Sequence, residues 1–182
     1  MDSPVSDFLL VPHERIGVLI GRKGETKRKI ERKTRTRIEI DSGGGEVEVI
    51  QEGAQQPFQH LKAMKIVKAI ARGFSPEKAF RLLDDECVLE MIELKEVLGK
   101  NPSLLKSKKG RVIGSSGKAR DEIEKDTGAS ISVYGKTISI IGKEEQVLKA
   151  GNAVEMLLKG ATHSAVFDSL RRKRVSREKF EL

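Results

Sequence analysis

Apolar and polar positions divide the first eighty residues into short, clearly patterned segments. Asp7 to Pro12 is an apolar run that predicts a first strand, ended by Pro12, which suits a loop or edge position. Ile16, Val18, Leu19 and Ile20 form a helix-compatible run. From Glu25 to Thr34, Thr26, Ile30 and Thr34 recur at spacing four, with Glu25 and Lys29 one turn apart, which predicts an amphipathic helix. The period then changes. Arg35 to Ile40 and Glu46 to Ile50 alternate, with Ile38 and Ile40, then Val47 and Val49, on one face. Asp41-Ser42-Gly43-Gly44-Gly45 between them is turn chemistry, so the pair predicts a hairpin. A helix opening at Pro57 and running to about Arg72 follows.

The second half repeats this succession. Ser75-Pro76-Glu77 starts a helix to about Asp84, with serine as cap and proline in the first turn. Val88 to Leu94 predicts a strand, and 95–103, with Gly99 and Pro102, a connection. Helices are expected at Leu104 to Ile113 and Lys118 to Asp126, the latter stopped by Gly128. Strands follow at Ser130 to Tyr134 and Lys136 to Ile141, joined at Gly135. A helix from Glu144 to Leu158 then presents Val147, Ala150, Val154, Leu157 and Leu158 on one face.

The likeness extends to individual residues. Ile20-Gly21-Arg22-Lys23-Gly24 is matched by Ile113-Gly114-Ser115-Ser116-Gly117, an offset of 93. At the same offset Ile30 falls on Ile123, Glu31 on Glu124, Thr34 on Thr127 and Ile38 on Ile131, while Lys27 falls on Arg120. A repeat of this length predicts two domains of one fold. Each Gly-x-x-Gly lies between two helices. There the second helix offers free backbone N–H groups and the positive end of its dipole, and the missing Cβ atoms allow close approach. The chemistry is that of a phosphate clamp built from main chain, to which Arg22 and Lys23 add two cations.

Charge changes the picture by its location. The formal net charge is +8, yet residues 21–40 hold nine Lys or Arg against three Glu, and residues 106–125 hold seven against three acids. The rest of the chain is slightly acidic, so the basic charge sits on the two candidate phosphate loops, as a nucleic-acid binder requires. With 37% hydrophobic and 34% charged residues the chain is globular in composition.

These residues resemble the KH domain: Ile-Gly-x-x-Gly, an isoleucine six positions after the second glycine, a threonine ten after it, then a β-like segment. The resemblance covers most of the chain. It implies single-stranded RNA or DNA recognition, with the glycine loop clamping a backbone of about four nucleotides beside an aliphatic groove. Of the two KH arrangements, the bacterial one needs a helix and strand ahead of the first central strand, and only a handful of residues precede it here. The expected fold is therefore α+β, with two eukaryotic-type (type I) KH domains, each a three-stranded antiparallel sheet packed on three helices. The expected boundaries are 1–74 and 87–160 for the two domains, 75–86 for a bridging helix or linker and 161–182 for a basic helical tail.

The expected RNA contacts in the first domain are Gly21, Arg22, Lys23 and Gly24, flanked by Lys27, Arg28 and Arg37. In the second they are Arg111, Gly114, Ser115, Ser116, Gly117, Lys118 and Arg120. The second loop departs from the family in carrying two serines where a basic residue is common. Ile16, Val18, Ile20, Ile30, Ile38 and Ile40 divide between core and groove in a way the pattern leaves open. The cluster Arg171-Arg172-Lys173-Arg174 is either a solvated terminus or further RNA contact, and Val166, Phe167 and Leu170 offer a docking face.

Other classes fit poorly. Aromatic content of 4% disfavours the RRM, which stacks bases on aromatic side chains. Gly114 to Lys118 has the wrong glycine spacing for a P-loop, and Ala119 stands where magnesium needs Ser or Thr. Cys87 is alone, and His13, His60 and His163 lack metal-ligand spacing, so no cofactor, metal or catalytic role is expected. No signal peptide or membrane span is read from the chain, and a cytoplasmic monomer is expected. The segment Gly73 to Leu83, Ser132-Val133-Tyr134-Gly135-Lys136-Thr137 and His163-Ser164-Ala165-Val166 further resemble the archaeal relatives of the Dim-two-type small-subunit assembly factors. That resemblance implies binding near the 3′ end of small-subunit rRNA. It also implies protein partners, including the small-subunit endonuclease and translation initiation factor two alpha. A general RNA-binding adaptor in RNA degradation or translational control stays open, as does a scaffold whose second domain docks proteins.

Overall fold

The computed structural model describes residues 5–53 and 59–178, with side chains to Arg172. Pro57, expected to open the third helix, lies outside the described residues. The chain divides into two compact units, 1–85 and 86–182.

The first unit runs β1 (Ser6–Leu10), α1 (His13–Ile20), a single 3₁₀ turn, α2 (Glu25–Thr34), β2 (Thr36–Ile40), β3 (Glu46–Gln51), α3 (Gln59–Ala71) and the short α4 (Pro76–Ala79). The second runs β4 (Cys87–Glu93), α5 (Leu94–Leu98), α6 (Pro102–Ile113), a 3₁₀ turn, α7 (Lys118–Thr127), β5 (Ser130–Tyr134), β6 (Thr137–Lys143), α8 (Glu144–Lys159) and α9 (His163–Glu178). Each unit holds one antiparallel three-stranded sheet, in the order β1-β3-β2 and β4-β6-β5. The third strand of each unit thus enters between the first two. This is the expected strand–helix–loop–helix–strand–strand–helix order.

The repeated residues build the units. Ile30 and Ile123 are fully buried, and Ile38 and Ile131 nearly so. The Thr34 and Thr127 hydroxyls donate to the carbonyls of Ile30 and Ile123, at 2.8 and 2.7 Å. The carboxylates of Glu31 and Glu124 accept the N–H of Ile38 and Ile131, at 2.9 and 2.6 Å. One isoleucine fills the core, the threonine occupies a helix-end carbonyl and the glutamate ties helix to strand. In this way the repeated isoleucines, glutamate and threonine outside the glycine loop each have an architectural reason.

Two local expectations are corrected. Residues 95–103 are not a plain connection: Leu94–Leu98 is helical, and α6 starts at Pro102. Gly99, at φ 76°, ends the first helix, and the Asn101 side chain accepts the N–H groups of Ser103 and Leu104 to begin the second. Asn followed by Pro is an N-cap followed by a first helical residue. On α2 the ion pair at spacing four joins Lys27 to Glu31 at 2.7 Å, while Lys29 lies 4.4 Å over the Phe80 ring.

Candidate nucleic-acid interface

The two glycine loops have the same geometry. Gly21 and Gly114 take φ/ψ of 74°/176° and 73°/179°, a region essentially reserved for glycine. A Cβ on Gly21 would lie 2.2 Å from Thr26 Oγ1 and 2.8 Å from the Thr26 nitrogen, and one on Gly114 would lie 2.7 Å from the Ala119 nitrogen. These glycines let the chain pass against the N-terminal end of the following helix. Gly24 and Gly117 are left-handed at φ 78° and 83°, and the residue before each, Lys23 or Ser116, is left-handed too.

The amides of Gly24 and Gly117 donate to the carbonyls of Gly21 and Gly114, closing each turn. The amides of Arg22, Lys23, Ser115 and Ser116 have no main-chain acceptor among the described residues. Their side chains are exposed. Successive N–H groups freed by a right-handed then left-handed pair form a concavity suited to an anion, and the loops present two of these.

The remaining expected contacts separate by what already holds them. Lys118 is exposed and has no ion pair among the described residues, as have Arg22 and Lys23. Lys27 is paired to Glu31, Arg37 to Glu39 at 2.5 Å and Arg120 to Asp121 at 3.0 Å. Arg28 donates to the Lys23 carbonyl at 2.7 Å and so braces the first loop from below. Arg111 is turned into its unit: Nε donates to the Leu157 carbonyl at 3.3 Å and Nη2 to that of Ala161 at 2.5 Å. Arg15 makes the same fork in the first unit, to Ile70 and Phe74, at 2.8 and 2.6 Å. Both arginines tie the helix before the loop to the C-terminal end of α3 or α8, where the Ile70 and Leu157 carbonyls also accept the N–H groups of Gly73 and Gly160.

Beside each loop lies a partly covered apolar strip. Ile20 and Ile40 are half-buried in the first unit, as are Ile113 and Val133 at the same offset in the second. Ile16, Ile30 and Ile38 belong to the core. Two features were hidden in the sequence. One is the fork of Arg15 and Arg111. The other is the position of α9, which packs on α7 and α8 next to the second loop. His163 Nε2 meets the Arg111 carbonyl at 2.8 Å and Val166 is fully buried. Among the described residues no cluster of three or more potential metal ligands occurs, and no helix is long and apolar enough to cross a membrane.

Two units of this order, each with a Gly-x-x-Gly turn between its first two long helices, are tandem eukaryotic-type KH domains. A family model of the eukaryotic-type (type I) KH domain matches residues 88–175, and a KH domain model matches residues 6–64. A KH domain-containing protein of Methanocaldococcus jannaschii is 44% identical over 178 residues, covering 97% of this chain and 78% of that protein. The solved complex of a/eIF2α, aDim2p and rRNA from Pyrococcus horikoshii contains a chain that is 43% identical, with a TM-score of 0.88 over 95% of this chain and 96% of that one. The pre-rRNA-processing protein PNO1 of Debaryomyces hansenii is 31% identical over 163 residues, 89% of this chain but 56% of that protein, so this chain spans about half of it. The chain belongs to the tandem KH-domain family, in the group that holds archaeal Dim2p.

Proposed function

We propose that this chain binds single-stranded RNA through both glycine loops and serves as a small-subunit ribosome assembly factor acting near the 3′ end of the small-subunit rRNA. The observation that carries the reading is the pair of equivalent loops, each offering two free amides, with the unpaired cations Arg22 and Lys23 on one and Lys118 beside the other. The relatives support the rRNA assignment: one is a pre-rRNA-processing protein and another was solved in a complex with rRNA. The same complex contains a/eIF2α, which supports a protein partner from translation initiation. The activity is binding; no bond is made or broken. Gly21, Gly24, Gly114 and Gly117 admit the backbone, the loop amides and Arg22, Lys23 and Lys118 meet phosphate, and Ile20, Ile40, Ile113 and Val133 floor the grooves. Arg28 and Arg111 act by holding the loops in place.

The test is binding of an rRNA 3′-end oligonucleotide and of an unrelated RNA of equal length to wild type, Arg22→Asp/Lys23→Asp and Ser115→Asp/Ser116→Asp. Weakened binding by both folded variants, with preference for the rRNA sequence, supports the reading. Equal affinity for the unrelated RNA would make the protein a general adaptor. Binding indifferent to the second pair would make the second unit the protein-docking half.

A further inference from the structure

Helix α9 is held beside the second loop at two points. His163 meets the Arg111 carbonyl, and Arg171 Nη2 donates to Glu122 on α7 at 2.7 Å. Between α9 and the start of α7 opens a cavity of about 410 Å³ that begins at the loop itself. Ser115 and Lys118 line it on the loop side, and His163, Phe167 and Arg171 on the α9 side. Glu122, which also lines it, is neutralised by Arg171. The rings of His163 and Phe167 stand 6.1 Å apart, inclined by 33°, and Phe167 is only half-buried. One end therefore carries a free cation beside the loop amides, and the other carries a flat, partly exposed π surface. Single-stranded nucleotides present that same pair of groups, a phosphate and a flat base, and stacking on aromatic side chains is how proteins hold unpaired bases.

We infer that this cavity is a nucleotide subsite of the second unit. The nucleotide flanking those held by the Gly114–Gly117 loop lays its base against Phe167 and His163, with its phosphate on Lys118. The inference rests on the loop being an RNA clamp, and it extends the second unit's footprint onto the C-terminal helix. A base with no hydrogen-bonding partner specified is read by its π face, so the subsite tolerates any base and adds affinity more than sequence preference.

The experiment uses the full chain carrying Arg22→Asp/Lys23→Asp, so that the second unit dominates binding. The probes are a four-nucleotide and an eight-nucleotide RNA sharing one core sequence from the rRNA 3′ end. Phe167→Leu, which keeps apolar packing but removes the ring, is expected to lower affinity for the eight-mer about tenfold and leave the four-mer unchanged, with Phe167→Tyr restoring the eight-mer. Equal loss on both lengths, or no loss on the eight-mer, overturns the subsite. Adding Ser115→Asp/Ser116→Asp separates the two readings. If it weakens both probes while Phe167→Leu leaves the length dependence intact, only the subsite fails. If it weakens neither, the clamp fails and the subsite falls with it.

Discussion

At the scale of single residues, the four loop glycines are not equivalent. Gly21 and Gly114 are required twice over, by a backbone region closed to side chains and by the helix nitrogen a Cβ would strike. Gly24 has room for a Cβ, its nearest neighbour being 3.5 Å away at the Arg28 guanidinium, and is constrained by its left-handed φ alone. Gly24→Ala is therefore expected to cost about 1–2 kcal/mol and Gly21→Ala distinctly more. Urea unfolding, followed by amide exchange in the first unit, checks the order, and the reverse order would contradict it. A converse case is Arg35, left-handed at φ 50° where the other unit has Gly128 at φ 76°. Arg35 and Gly128 are at offset 93, so the sequence showed the pairing, yet the alternation of Arg35 to Ile40 hid that Arg35 ends a helix. Arg35→Gly should stabilise the first unit by about 0.5–1 kcal/mol, because relief of left-handed strain exceeds the entropy glycine adds to the unfolded chain. An unchanged or lowered unfolding midpoint would refute this.

At the scale of elements, each repeat is longer than its sequence likeness. Ser75 caps α4 by accepting the Lys78 N–H at 3.4 Å, and Thr162 accepts the Ala165 N–H at 3.3 Å at the start of α9. These pairs, like the carbonyls of Ile70 and Phe74 against those of Leu157 and Ala161, stand at an offset of 87 rather than 93. The register changes because the hairpin turn and the stretch after β3 are longer in the first unit. An ungapped reading loses the match there, and so α4 and α9 read as unrelated segments. The forks of Arg15 and Arg111 are the common fastening. Arg15→Met removes two charge-assisted bonds to main-chain carbonyls and should cost about 1.5–3 kcal/mol. Arg22→Met, on an exposed residue with no such bonds, should leave stability within about 0.5 kcal/mol while weakening RNA binding. Thermal unfolding and RNA titration of the two variants together test this division. Equal destabilisation, or a loss of binding only with Arg15→Met, would show that the fork and the clamp have been assigned the wrong way round.

At the scale of the whole molecule, the basic charge is concentrated where the loops are, and binding should report it. Each phosphate contact on a single strand contributes about 0.7 to the slope of log affinity against log salt. Removing Arg22 and Lys23 together should therefore flatten the slope by about 1.4. Removing Arg37, paired to Glu39 and exposed, should change it less. Titrations between low and moderate salt measure both, and a slope untouched by the loop variant would place the phosphates elsewhere on the chain.

The fold came from the KH resemblance; what the sequence by itself determined was the succession of strands and helices and the place of both loops. Those follow from periods of two and 3.6 residues and from glycines at turns, all of which are local and survive without coordinates. It also showed the repeat, because Ile30, Glu31, Thr34 and Ile38 do the same structural work as Ile123, Glu124, Thr127 and Ile131. Lys27, Arg37 and Arg120 have their acidic partners within four residues, so those pairs could be read along the chain. Only the tertiary structure showed that Arg111, which looks as free as Lys118 in the sequence, is turned into its unit. Leu157 and Ala161 stand 46 and 50 residues from Arg111. The same holds for α9: its weakly patterned, basic sequence reads as a tail, and its packing on α7 and α8 puts it at the wall of the second loop.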